Sequence, residues 1–107
     1  IRERGDDPEF VIAWETRNRE FHDALVAACT NSWLLRFRAT VFAHSFRYRR
    51  ISLKERSMPR DVRAEHQAIF DAAIARDIEA AARTSEAHIR NSIATVEAGL
   101  AGLRRAS

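Results

Sequence analysis

The stretch from Asp7 to Leu25, DPEFVIAWETRNREFHDAL, combines a helix start with one regular helical face. Asp7 precedes Pro8 and Glu9, which is the order expected of a capping side chain, a first-turn proline and an acid near the positive end of the helix dipole. Behind this start, the inward positions recur at intervals of three and four residues, the period of an α-helix. They are Val11, Trp14, Asn18, Phe21, His22, Leu25 and Ala28.

Three further helices are predicted along the chain. The segment Thr30-Asn31-Ser32 is predicted to supply the cap of the second helix and Asp77 that of the fourth. Segment 52–57 is a charged connector, and Met58-Pro59 begins the third helix. No segment alternates apolar and polar residues as a half-buried strand does, and three glycines with two prolines are few for a turn-rich β fold. We therefore predict an all-α chain, an antiparallel bundle of about four helices. The predicted inward positions are Leu34, Arg38, Val41, Phe42, Ser45 and Arg49, then Val62, His66, Ile69, Phe70 and Ala73, and finally Ala81, Ser85, His88, Ser92, Val96, Leu100 and Leu103.

The composition is that of one small globular domain. The 107 residues are 46% hydrophobic and 31% charged. No apolar run approaches the roughly 18 residues of a membrane span, and the single Cys29 excludes an internal disulfide, so we expect a cytoplasmic protein without membrane contact. A bundle of this size buries only about 60 to 65% of its unfolded surface, so a second copy or further segments are expected to complete its core.

The net charge of +3 arises entirely in the first part of the chain. From Met58 onward, seven Arg are balanced by seven Asp and Glu. Long basic side chains are normally exposed, and no recognition-helix, zinc-finger or RNA-binding motif accompanies them, so direct DNA contact by these residues is not expected. The basic cluster consists of Arg36, Arg38, Arg47, Arg49, Arg50, Lys54 and Arg56, opposed only by Glu55.

Three of the predicted inward faces carry a histidine. His22, His66 and His88 lie in different helices, and Asn18 precedes His22 by one turn on the same face. Neutral imidazole costs little to bury, and a divalent cation satisfies its lone pairs, so the pattern favours a metal site formed by these four residues. The alternative is that each histidine is only hydrogen-bonded in the core. His44 does not lie on the inward face of the second predicted helix and is predicted to lie at the surface.

The same residues resemble the hallmark of the FCD domain, the ligand-sensing C-terminal domain of many GntR-family bacterial transcription regulators. The resemblance implies that residues 1–107 are part of a bundle of six or seven helices behind a winged-helix DNA-binding domain. That domain and the opening helices of the sensing domain are then absent from this chain. The resemblance covers about Pro8 to Ile93 and is carried by Asn18-Arg19-Glu20-Phe21-His22, Cys29-Thr30-Asn31, Glu65-His66-Gln67-Ala68-Ile69 and Ala87-His88-Ile89.

The resemblance implies a homodimeric regulator that responds to a small carboxylate, is not an enzyme, and binds DNA only through the absent winged-helix domain. Many members bind zinc or nickel through an acidic residue and three histidines. Asn18 stands where the family usually has Asp; its neutral oxygen is a weaker ligand and leaves the ion its full charge to attract an anionic effector. Arg38 and Arg49 are candidate partners for the carboxylate of that effector. The metal positions correspond here to Asn18, His22, His66 and His88.

Two other functions stay open at the level of sequence. Three histidines with an open coordination position also form catalytic zinc sites, so a metal hydrolase is the first alternative. Glu65, the acid beside His66, is however predicted to point away from the ligand face, which leaves such an enzyme without its usual acid or base. The second alternative is a metal-free helical dimerisation module.

Overall fold

The computed structural model describes residues 7–55 and 60–106. Within these ranges the chain forms five α-helices and no strand, so the all-α prediction is confirmed. The chain divides into two compact units, the first ending at Lys54 and the second beginning at Glu55. The first unit contains α1 (Pro8–Leu25), α2 (Ser32–His44) and α3 (Phe46–Lys54), and the second contains α4 (Val62–Ile74) and α5 (Ile78–Ala106). Among the described helices, none combines the length and the hydropathy of a transmembrane span.

The predicted capping residues begin their helices as expected. Asp7 Oδ1 accepts the backbone N–H of Glu9 at 3.0 Å. Asn31 and Asp77 each accept the N–H three residues further on, at 3.1 and 3.0 Å. Each side chain thereby satisfies a donor that the first helical turn would otherwise leave unpaired.

The predicted second helix is in fact two helices, so the described residues contain five helices where about four were expected. The N–H of Ser45 is shared between the carbonyl oxygens of Val41 and Phe42, at 3.0 and 3.2 Å. Its hydroxyl also donates to the Val41 carbonyl oxygen, at 2.7 Å. This local competition for carbonyl groups ends α2. The next helix, α3, then continues to Lys54, three residues into the predicted connector 52–57.

The start of α4 differs from its prediction as well. The expected start at Met58-Pro59 lies outside the described residues. Asp61 caps α4 instead, because its Oδ1 accepts the N–H of Ala64 at 3.0 Å. This cap fits the usual rule that a short acidic side chain occupies the position before the first helical residue.

The helices α4 and α5 pack as an antiparallel hairpin. Arg60 contacts Ser92 at 2.8 Å, and Glu65 contacts His88 at 2.8 Å. Residue numbers therefore increase toward α4 while those of their partners on α5 decrease, as in an antiparallel pair. Ile69 is only 3% exposed in this hairpin. Several inward positions of the hairpin differ from the prediction: Phe70, Ala73 and Leu103 are exposed, whereas Ala72 and Thr95, which were not among the predicted positions, are buried.

The turn between α4 and α5 depends on one residue in the left-handed region. Arg76 has a φ of 56°. Its N–H donates to the carbonyl oxygen of Ala73, and the N–H of Asp77 donates to that of Ala72, both at 3.1 Å. These two bonds form a Schellman motif, which favours glycine at the left-handed position because a Cβ is strained there.

We expect Arg76→Gly to raise the free energy of unfolding by about 0.5 to 1 kcal/mol, because glycine adopts this φ without strain. Urea denaturation followed by circular dichroism measures the change. Arg83→Gly is the matched control: the same substitution at an exposed position inside α5 should lower stability by about 1 kcal/mol. A loss of stability in both variants would contradict the role given to the turn.

Candidate metal centre

Two of the predicted metal ligands meet across the hairpin of the second unit. His66 on α4 and His88 on α5 have ring centroids 4.8 Å apart, with their planes at 64°. A ring nitrogen of one lies within 4.8 Å of a ring nitrogen of the other. Both rings are half-buried. Two nitrogen donors therefore face a common space from two helices that pack together.

The carboxylate of Glu65 fixes the orientation of His88. Glu65 Oε1 lies 2.8 Å from Nδ1 of His88. An ionised carboxylate can only accept, so Nδ1 carries a proton and, in neutral imidazole, the lone pair is on Nε2. A carboxylate on the far nitrogen is the usual outer partner of a metal-binding histidine. The expectation that Glu65 points away from the site was wrong, because the seam with α5 is wide enough to accept both Glu65 and its neighbour His66.

Arg60 holds this carboxylate in place. Its Nη2 donates to Glu65 Oε1 at 2.7 Å and its Nε donates to Oε2 at 2.9 Å, which is a bidentate fork. The same Nη2 donates to the hydroxyl of Ser92 at 2.8 Å, and Asn91 donates to Glu65 Oε2 at 3.1 Å. The Arg60 side chain is 6% exposed. The roles of Arg60 and Glu65 were not predictable from the sequence, because their partners Ser92 and His88 lie on the other side of the hairpin, where no local spacing rule applies.

The protonation states at the site follow from burial and from this network. Burial by itself raises the pKa of the Glu65 carboxyl, but the hydrogen bonds from Arg60 and His88 outweigh it, so the pKa lies below its usual value. Burial, reinforced by the charge on His88, lowers the pKa of His66 from its usual 6.5 to about 4. At pH 7 the site therefore combines an ionised carboxylate with a neutral His66, the form of imidazole that binds metal.

The other two predicted ligands belong to the first unit, where they share one face of α1. Asn18 is 6% exposed and His22 is half-buried one turn later. The His22 ring packs edge-on against Phe21, at 5.2 Å between centroids, and is tilted against Phe42 at 6.4 Å. His44 is exposed, as the sequence predicted.

Both candidate effector-binding arginines bind carboxylates of the first unit. Arg38 donates to Asp23 at 2.9 Å, and this Asp side chain is 58% exposed. Arg49 forms a fork with Glu15, with Nε to Oε1 at 2.8 Å, and both side chains are largely buried. The Arg49 guanidinium also lies 3.9 Å from the centroid of the Phe42 ring. An external carboxylate has to compete with Asp23 or with Glu15 for these groups.

The lowered pKa of His66 predicts a pH dependence of stability. The unfolded chain binds a proton at His66 near pH 6.5 and the folded chain only near pH 4, so the free energy of unfolding should fall as the pH decreases between these values. At pH 5 we expect a loss of about 2 kcal/mol relative to pH 7, measured by urea denaturation with a chelator present. His66→Gln should remove most of this dependence of the unfolding free energy on pH. Equal pH profiles for both proteins would contradict the assignment.

Three comparisons with known proteins bear on the family. The FCD domain family matches residues 2–91. The chain is 40% identical, over 78% of its own length and 34% of the relative's, to the uncharacterized HTH-type transcriptional regulator BphR of Paraburkholderia xenovorans (strain LB400). It is 32% identical, over 83% of its length and 42% of the relative's, to the HTH-type transcriptional repressor GlaR of Escherichia coli (strain K12). No solved structure gives a significant match.

These matches cover less than half of either relative, so the chain spans only part of the length of the proteins it resembles. The resemblance stated from the hallmark residues is nevertheless confirmed, because the family match includes both the α1 segment and the two histidines of the hairpin. The chain belongs to the FCD domain family, the C-terminal domain of GntR-family transcription regulators.

Proposed function

We propose that this chain is the effector-sensing and dimerisation part of a DNA-binding transcription regulator of the GntR family. The names of the two relatives, a transcriptional regulator and a transcriptional repressor, support this role. A winged-helix domain outside this chain would contact DNA, and the regulator would act in the cytoplasm as a homodimer. The effector would be a small carboxylate.

We further propose that the domain holds a divalent metal, zinc or nickel. The contact between Glu65 and Nδ1 of His88, beside a neutral His66, is the observation that carries this proposal. A neutral His88 then keeps its lone pair on Nε2, the His66 ring lies 4.8 Å away between centroids, and zinc and nickel both accept imidazole nitrogen, which supports the proposal. His22 and Asn18 would complete the ligand set.

The donor set also defines what the metal would attract. Three imidazoles and the amide of Asn18 are all neutral, so a dication held by them keeps its whole charge. The chemistry that the metal supplies is therefore an electrostatic anchor for an anion at an open position. A carboxylate effector fits this requirement, and the favoured conformation of the loaded domain would then be transmitted to the DNA-binding part.

Of the two arginines, Arg38 is the better candidate to bind the other end of the effector. Its partner Asp23 is mostly exposed, and an exposed ion pair is worth little and is readily exchanged. Displacing Glu15 from Arg49 would instead leave a largely buried carboxylate without its partner, which is costly. Arg49 is thus proposed as a second, weaker contact.

The environment of Glu65 argues against a metal hydrolase. A general base needs an accessible carboxylate whose pKa is close to the working pH. Both oxygens of Glu65 already accept hydrogen bonds from Arg60, and Oε1 also accepts from His88. These bonds hold its pKa low, so this acid is suited to orient a histidine and poorly suited to take up a proton.

We expect His66→Ala and His88→Ala each to weaken zinc binding by about 100-fold or more, since each removes one ligand. Competition of the purified chain with a chromophoric chelator measures the affinity. His44→Ala is the matched control, because His44 is exposed and outside the ligand set, and it should bind like the wild type. Equal affinity of His66→Ala and His44→Ala would favour the metal-free dimerisation module instead.

The same titration tests the ligands assigned to the first unit. His22→Ala should weaken zinc binding as the other two histidine substitutions do. Asn18→Asp should strengthen it about tenfold, because a carboxylate adds a negative charge to the ligand set. If both variants bind zinc as the wild type does, the site is confined to the hairpin and the four-ligand proposal fails.

For the effector we expect the zinc-loaded chain to be stabilised thermally by succinate, used here as a small dicarboxylate probe. Arg38→Ala should weaken succinate binding at least about tenfold, the loss of one charge-assisted hydrogen bond. Arg17→Ala, which removes an arginine whose side chain is 84% exposed, is the control and should leave the titration unchanged. Equal weakening in both variants would mean that only general positive charge matters.

A further inference from the structure

The ring of Phe42 on α2 contacts both a proposed metal ligand and a largely buried ion pair. The imidazole of His22 on α1 lies 6.4 Å from it between centroids, with the two planes tilted by 56°. This distance is within the range of about 4.5 to 7 Å at which aromatic rings attract each other. The guanidinium carbon of Arg49 on α3 lies only 3.9 Å from the centroid of the same ring. One aromatic ring therefore joins a proposed ligand to an arginine of another helix.

Arg49 holds Phe42 by its backbone as well as by its ring. Its Nη1 donates to the carbonyl oxygen of Phe42 at 2.9 Å. This carbonyl group belongs to the last turn of α2, where a helix leaves acceptors without intrahelical donors. The guanidinium groups of Arg19 and Arg38 lie farther from the ring, at 5.8 and 5.7 Å, close to the limit of about 6 Å for a cation–π attraction. Arg49 is thus the cation that fixes the position of Phe42.

The same guanidinium is anchored on the ligand-bearing face of α1. Its Nε donates to Glu15 Oε1 at 2.8 Å, and its Nη2 donates to the same oxygen. Both side chains of this ion pair are largely buried, so salt screens it little. Glu15, Asn18 and His22 follow one another at steps of three and four residues and share one face of α1. Arg49 and Phe42 therefore contact this face at two points, about two helical turns apart.

A fixed ring matters for a ligand because a histidine side chain otherwise has several rotamers. Its χ1 angle has three staggered wells and its χ2 angle is broad, and a bound ion accepts only one orientation. Ordering the ring before binding removes this entropy cost from the affinity. The ring of Phe21, 5.2 Å from that of His22, belongs to the same helix. The ring of Phe42 adds a contact from a second helix and so restricts His22 relative to α2.

We infer that Phe42 is a positioning residue for His22, and that Arg49, anchored on Glu15, holds the Phe42 ring in place for this role. The inference rests on the proposed function in taking His22 as a metal ligand, whereas the orientation of the imidazole is independent of it. Arg49 acts here while it stays paired with Glu15, so this role is separate from a contact with the effector.

Titration of zinc against a chromophoric chelator tests the effect on the ligand. Phe42→Leu keeps an apolar side chain but removes the ring, and it should weaken zinc binding by about tenfold, the lower end of the range for outer partners of a ligand. Phe42→Tyr restores the ring and should bind zinc like the wild type. Phe46→Leu is the matched control: it removes a second ring beside Arg49, 5.9 Å from the guanidinium carbon and 41% exposed, and should leave the affinity unchanged.

The same substitution in a His22→Ala background separates positioning from a general loss of structure. If Phe42 acts through His22, Phe42→Leu should cause no further loss of zinc affinity once the histidine is gone. A general defect would lower the affinity by the same factor in both backgrounds. If His22→Ala itself binds zinc like the wild type, the ligand assignment of the proposed function fails, and a measurement without metal decides on the orientation of the ring.

Carbon–proton NMR spectra of the metal-free chain with labelled histidine provide this measurement. The ring protons of His22 should show nuclear Overhauser effects to those of Phe42. Phe42→Leu should shift the His22 resonances and leave those of the exposed His44 in place. Arg49→Lys keeps the charge but loses the planar stack and the fork, so it should shift them as well. Arg47→Lys, at an exposed position of α3, is the control and should not.

Three results would each overturn the inference. They are His22 resonances that ignore Phe42→Leu or Arg49→Lys, a Phe42→Leu variant with unchanged zinc affinity although His22→Ala weakens binding, and equal losses of affinity in both backgrounds. Circular dichroism verifies that each variant retains its helices.

Discussion

The seam between α4 and α5 is built around a largely buried negative charge, the carboxylate of Glu65. Burial of a carboxylate is unfavourable unless several donors replace the lost water, and Arg60, His88 and Asn91 do so from both sides of the hairpin. The position of the His88 ring and its tautomer are consequences of this arrangement. The Glu65 side chain is only 14% exposed. Water could therefore replace a removed donor only in part, and the carboxylate would be left partly unpaired.

A polar network of this kind constrains the hairpin differently from apolar packing. Ile69 and Ala72 form the apolar part of the seam and would tolerate small shifts between the helices. Hydrogen bonds lose most of their strength with shifts of that size, so Arg60 and Glu65 fix the register against His88 and Ser92. The apolar contacts hold the helices together, and the network fixes their relative position.

Features that depend on neighbouring residues were predictable from the sequence. The caps at Asp7, Asn31 and Asp77 follow from short-range rules, and the inward positions of His66 and His88 follow from helical periodicity. The features that were missed depend on competition or on distant partners. Serine is tolerated in many helices, so the break at Ser45 was not apparent from the pattern.

The position of Glu65 shows the same limit more clearly. On a helical wheel it lies about 100° from His66, which suggested solvent, yet its partners Arg60 and His88 lie at the seam. Only the packing of α5 against α4 determines that this direction is inward. The metal-ligand roles of Asn18, His22, His66 and His88 and the effector-binding roles of Arg38 and Arg49 remain predictions.

The distribution of aromatic residues has a practical consequence for spectroscopy. Both tryptophans, Trp14 and Trp33, and the single Tyr48 belong to the first unit, and residues 55–107 contain neither type. Emission excited at 295 nm therefore originates wholly from the first unit, while the hairpin with its paired imidazoles is optically silent. That emission therefore reports on the first unit alone.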